Sequence, residues 1–255
     1  MRCISCGTHQ LEPRPTPEQL AEAYGITYYE DLIEGAGMAG GNDEATLALR
    51  QRLHSLELRR GKGSLVDLGC GLGPFVKYAA DNGWTAVGIE TSKWAATEGR
   101  RRYGITILEG TLENAPIEDG SLDVMHAHHV FEHMIDPLAS AKAAYRLLKS
   151  GGLLVIEVPQ QLVYPLWDSF FSKLHPDLYR TPPPPTTHHL EFFTPEGLAR
   201  LARRAGFEVE RASTVRHVKS SETRFPLGLH AKRLIYWLEQ ALQTGPDIEL
   251  WARKP

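Results

Sequence analysis

The 255-residue chain lacks several things, and each absence narrows its class. No apolar run comes near the roughly 20 residues that a bilayer span needs, and the first ten residues, MRCISCGTHQ, hold no secretory hydrophobic stretch. A soluble, cytoplasmic protein with no membrane partner is expected. There are only three cysteines, Cys3, Cys6 and Cys70, too few and too unevenly placed for a disulfide framework. Positive charge is not in surplus: 28 Lys and Arg stand against 31 Asp and Glu, a formal charge of -3, so no global field exists to hold nucleic acid. Only local basic groups are left, at Arg100, Arg101 and Arg102 and at Arg200, Arg203 and Arg204. No Gly-Lys-Ser/Thr follows a glycine loop, which excludes a phosphate-binding P-loop. What is present is 42% hydrophobic residues, enough for one sizeable core or at most two small domains. The histidines are unevenly spread: of 11, six fall at His126, His128, His129, His133, His188 and His189.

Residues 1–42 read as an arm, with Pro13, Pro15 and Pro17, then Tyr28-Tyr29 and the stretch GAGMAGG at Gly35–Gly41. Asn42-Asp43 offers a cap for a helix carrying Leu47, Leu53 and Leu56 and ending at Arg59-Arg60-Gly61. From there short β-rich runs alternate with helical stretches. The runs are Ser64–Gly69, Thr85–Glu90, Ile105–Gly110, Leu122–Ala127 and Leu153–Val158. Such alternation predicts an α/β fold with a mainly parallel sheet buried on both faces. Phe207–Val215 and Ile248–Lys254 flank an amphipathic segment with Leu234, Ile235, Leu238 and Leu242, and can add an antiparallel terminal strand. Residues 43–255 are thus expected to form one domain. Within it, residues 160–190 are a long connection of the kind that often forms a lid; Trp167, Phe170 and Phe171 wall a pocket there or simply pack, and Pro182–Pro185 is stiff.

The sharpest local signal is Asp67-Leu68-Gly69-Cys70-Gly71-Leu72-Gly73-Pro74, between a strand and a helix. Glycines at alternate positions let a ligand approach the backbone at the carboxyl edge of the sheet. The dinucleotide fingerprint fails in both registers, at Pro74 and at Val76. The chain instead resembles the Rossmann-like S-adenosylmethionine-dependent methyltransferases, through the loop Asp67, Gly69, Gly71, Gly73, through Ser121–Pro137 (SLDVMHAHHVFEHMIDP), through LLKSGGLLVIEVP and through His189–Val209. The resemblance implies a doubly wound, seven-stranded sheet and S-adenosylmethionine as cofactor. Asp67, Gly69, Cys70, Gly71 and Gly73 would then hold its methionine end, Glu90 with Thr91 its ribose, Thr111 and Leu112 its adenine, and His128 would line the methionine moiety. Two vicinal hydroxyls suit an acceptor with two oxygens, hence the carboxylate at Glu90.

Methyl transfer needs an acceptor atom roughly 3–3.5 Å from the methyl carbon and often a base to take its proton. His129, Glu132 and His133 at i, i+3 and i+4 would share one face of a helix beginning at His129. This HxxEH set resembles the ExxEH face of ubiquinone-pathway O-methyltransferases and small-RNA 3′-end methyltransferases, where a later histidine, matching His189, completes a divalent-metal site. Three readings stay open: His129, Glu132, His133 and His189 bind a metal softer than magnesium; His129, His133 or His189 act as a metal-free base; or the group is structural. Cys3 and Cys6 have the spacing of half a zinc ribbon whose other pair is missing, with His9 a candidate third ligand. The resemblance implies O-methylation of a small hydroxylated metabolite. An RNA-modifying methyltransferase and a non-catalytic cofactor-binding partner protein are the alternatives, and the net negative charge weighs against the first.

Overall fold

The computed structural model describes residues 1–16, 19, 43–161, 189–216, 237–239 and 241–255. Tyr28-Tyr29, the glycine stretch 35–41, nearly all of the expected lid with Trp167, Phe170, Phe171 and Pro182–Pro185, His188, Leu234 and Ile235 lie outside them.

In chain order the elements are β1 (His9–Gln10), α1 (Asp43–Arg60), β2 (Ser64–Leu68), α2 (Pro74–Asp81), β3 (Thr85–Glu90), α3 (Lys93–Tyr103), β4 (Ile107–Glu109), β5 (Leu122–His128), α4 (Pro137–Leu147), β6 (Leu148–Pro159), β7 (Glu191–Phe192), α5 (Pro195–Arg204), β8 (Glu208–Val215) and β9 (Asp247–Arg253). Seven strands form one sheet in the order β4-β3-β2-β5-β6-β9-β8. β2 to β6 run parallel, and β9 is antiparallel to both β6 and β8, which is the terminal antiparallel strand that the tail's pattern implied.

Successive residues of the central strands supply opposite faces. Leu65, Val124, Leu153 and Val155 pack with Leu53 and Leu56 of α1 and Phe75 of α2. Val66, Met125, Leu154 and Ile156 pack with Ala144 and Leu147 of α4 and Leu198 and Leu201 of α5. Each fully buried Leu or Val contributes about 1.5–3 kcal/mol, so the apolar runs read in the sequence are the sheet's main stabilising term. Helix starts follow their caps: the Asp136 carboxylate accepts from Leu138 and Ala139 N–H, Ser92 Oγ from Ala95 N–H, and Thr194 Oγ1 from Gly197 N–H.

The N-terminal residues are docked. β1 pairs antiparallel with β7, Leu11 N–H donates to Leu190 O at 2.8 Å, and Arg14 bridges Glu191 and the Ile135 carbonyl. Residues 1–14 therefore clamp the strand that follows His189.

Candidate active site

The parallel strands end on one edge, and two groups of polar side chains meet there. The first surrounds the glycine loop. Gly69 and Cys70 N–H both donate to Ile89 O, tying the loop to β3. Gly69 has φ 64, and a Cβ there would strike Val130, so the position needs glycine twice over. Glu90 at the end of β3 is buried; its carboxylate accepts from Gly71 N–H at 2.9 Å and Ser92 N–H at 2.7 Å, joining the loop to the start of α3, with the Thr91 hydroxyl 3.4 Å away. Asp67 is also buried, its Oδ1 2.6 Å from Nδ1 of His126, its register partner on β5.

Cys70 and Leu112, both expected at the cofactor, have buried side chains. The Cys70 thiol is buried against Gly88, where a Cβ would collide with it, so Cys70 offers the edge its backbone only; burial drives that thiol's pKa far up. Leu112 packs inside the main core while Thr111 beside it is exposed, and the Glu113 carboxylate accepts from Ser140 at 2.5 Å. His128 ends β5 with Nε2 3.2 Å from Oε1 of Glu157, its register partner on β6.

The second group corrects the expected helix from His129. No α-helix forms there. His129 has φ 56 and Val130 φ -131, and only Phe131–His133 makes a single 3-10 turn before α4 starts at Pro137. The chain must lay Val130 over Gly69, and Pro137 disfavours helical backbone at the residue before it. His129, Glu132 and His133 therefore do not share a helical face. Instead His129 stacks on His128, with ring centroids 4.2 Å apart, donates its N–H to Glu157 O, and sits 3.4 Å from Asp247 of β9. Glu132 and His133 meet His189, whose ring lies edge-on to His133 at 4.6 Å.

Two sets of three metal-ligating groups result, Glu132/His133/His189 and His128/His129/Glu157, each with one ligand atom per residue within 4.8 Å of the others. Glu132 is only 1% exposed, and among the described residues neither carboxylate oxygen has a hydrogen-bond partner, His133 Nε2 standing 3.5 Å from Oε1; burial pushes its pKa up to about 7. Burial, with Arg52 nearby, pushes His128 down to about 3. Burial opposes charge on His129 too, but Asp247, Glu132 and Glu157 outweigh it and raise its pKa. Glu157 and Asp247 were missed in the sequence, and His126, one of the six clustered histidines, was given no role there. A lone Glu inside LLVIEV, the most apolar strand, was the available signal for Glu157.

At the N-terminus, hydrogen bonding by Ser5 lowers the Cys3 thiol to about 6, but among the described residues no third ligand joins Cys3 and Cys6, so His9 does not complete a zinc site.

Residues 42–212 match the family of methyltransferase domains. The chain belongs to that family. The methyltransferase domain has curated relatives in a 37.1 kDa protein of a Streptomyces fradiae transposon, 34% identical over 170 residues, and a ubiquinone biosynthesis O-methyltransferase of Thiobacillus denitrificans, 29% identical over 157. The first alignment covers 62% of this chain and 46% of the relative, the second 57% and 65%, so this chain spans roughly half to two thirds of the length of these relatives. An S-adenosylmethionine-dependent methyltransferase of Thermotoga maritima shares the fold, with a TM-score of 0.56 at 22% identity, covering 93% of this chain and 99% of that one. Among the described residues, no helix is long and apolar enough to cross a membrane.

Proposed function

We propose that the protein transfers the methyl group of S-adenosylmethionine to an oxygen of a small hydroxylated acceptor. The observation that carries the reading is the meeting, on one sheet edge, of the loop-bound Glu90 carboxylate with the imidazole and carboxylate groups after β5. The cofactor supplies an electrophilic methyl on a sulfonium. Glu90 offers two oxygens to the ribose hydroxyls, a carboxylate having roughly four acceptor positions. Gly69–Gly73 lay backbone along the methionine end, and Thr111 lies at the adenine end. His128 faces the methionine moiety from β5.

On the acceptor side, Glu132, His133 and His189 suit a divalent cation, because Glu132 is a buried carboxylate whose oxygens no described group satisfies and two imidazoles converge on it. A bound ion there makes an acceptor hydroxyl more acidic. Two imidazoles favour manganese, iron or zinc over magnesium. Gln161 Oε1, 2.7 Å from His189 Nδ1, orients that ring.

RNA is a poorer fit as acceptor, since Arg101 and Arg102 are tied to Glu98, and Arg200 and Arg203 to Glu196. The test is S-adenosylhomocysteine production across phenols, sugars, amines and RNA, with calorimetric binding of S-adenosylhomocysteine. Turnover with a phenol or sugar hydroxyl, and Glu90→Ala weakening cofactor binding by about a hundredfold, are expected from the loss of two hydrogen bonds to a charged group. Turnover with RNA alone would sink the acceptor reading. Undiminished binding in Glu90→Ala would sink the cofactor site.

A further inference from the structure

The described acceptor edge holds more metal-ligating groups than one ion can use. His128, His129 and Glu157 form a set of their own beside the Glu132 set, close enough for Glu132 to act on His129. His128 and Glu157 are register partners on two central parallel strands, so their approach is fixed by backbone hydrogen bonds rather than by loop chance. The next residue, His129, takes a left-handed φ of 56, a conformation costing a non-glycine residue roughly 1–2 kcal/mol. That turn folds its ring back onto His128, and its N–H on Glu157 O locks it there. Asp247, 3.4 Å from His129 Nε2, is placed as the carboxylates that orient metal-bound imidazoles are.

Charge points the same way. The charged groups facing this cluster are Glu132, Glu157 and Asp247 on one side of the balance and Arg52 on the other. Glu157 and Asp247 against one guanidinium favour added positive charge, and two imidazoles with a carboxylate match the ligand taste of borderline-soft ions.

We propose that His128, His129 and Glu157 form a second divalent-cation site, distinct from Glu132/His133/His189 and suited to manganese, cobalt or zinc. It does not depend on the acceptor being an alcohol, and it rests on the cluster alone.

The experiment is titration of the chelator-treated 255-residue chain with Co²⁺, followed by visible d–d absorption and by metal analysis after gel filtration. Circular dichroism checks the fold of each variant. Two equivalents are expected for the unaltered protein. His128→Ala and, as an independent and nearly isosteric change, Glu157→Gln should each remove one equivalent or weaken it tenfold or more, while His189→Ala should leave that equivalent in place. A single equivalent lost with His128→Ala and Glu157→Gln but kept in His189→Ala also supports the site. The proposal is overturned if no cobalt binds, if bound cobalt is unchanged in Glu157→Gln, or if one equivalent is lost in all three variants alike, which would mean one shared ion. Binding of S-adenosylhomocysteine to the metal-free unaltered protein is read in parallel. If it persists while no cobalt binds, the cation site fails and the methyltransferase reading stands.

Discussion

The two halves of the carboxyl edge are built on opposite terms. Around the glycine loop, each charged group has an answer from the chain: Glu90 from two backbone N–H groups, Asp67 from His126, the loop itself from Ile89 O. After β5, Glu132 is buried with neither oxygen hydrogen-bonded among the described residues and His133 Nε2 a loose 3.5 Å from Oε1, His129 holds a strained backbone, and Glu132, Glu157 and Asp247 crowd together. An unsatisfied buried polar group costs about 1–3 kcal/mol, more when charged. The difference teaches that the first half is satisfied by the chain itself, while the second carries a polar deficit, which is what the proposed cations would relieve.

The sharpest way to break this contrast is to damage the finished half. His126→Ala leaves the Asp67 carboxylate buried and alone, and should cost about 3–5 kcal/mol in urea unfolding; a loss under about 1 kcal/mol would show that the pair does not hold the loop. Next in size is relief of the unfinished half. Glu132 has its pKa raised from 4.5 to about 7, so between those values the folded protein holds a proton that the unfolded chain has released. Its contribution to stability is full below pH 4.5 and is lost as pH rises through 7, by about 3 kcal/mol in the metal-free protein. Glu132→Gln should therefore stabilise the metal-free protein at pH 8 and flatten its stability between pH 5 and 8, in stability measured across that range (roughly the span of the shift). A destabilised variant at pH 8 would show that Glu132 is already satisfied.

Smaller effects test the supports. Gly88→Ala forces the Cys70 thiol off β3 and should cost about 1–3 kcal/mol with weaker S-adenosylhomocysteine binding and no change in metal binding. Arg14→Ala takes a partly exposed guanidinium from the buried Glu191 carboxylate, leaving it Gln10 Nε2, and should cost about 1–3 kcal/mol while loosening the clamp beside His189. Weaker Co²⁺ binding with unchanged cofactor affinity is the expected pattern; the reverse would erase the distinction between the halves.

Legibility followed the same divide. The half around the glycine loop lies in contiguous motifs, so Gly69, Gly71 and Gly73 could be read from the loop's pattern and Glu90 from the resemblance that the loop supports. The acceptor half was read from a helical spacing at His129, Glu132 and His133 that the chain does not adopt, because Val130 must cover Gly69. His189 beside β7 meets this half as the resemblance implied, while Glu157 from β6 and Asp247 from β9 complete it with no expected role.

The sequence by itself determined the alternation of strands and helices, the parallel core and the glycine loop, since these rest on residues within one or two turns of each other. Only the tertiary structure decided which histidine meets which carboxylate, that His129 leaves Glu132 for Asp247, and that the first residues hold the strand after His189. Those partners lie far apart along the chain, and it is strand order and register, set by burial on both faces of the sheet, that brings them within reach.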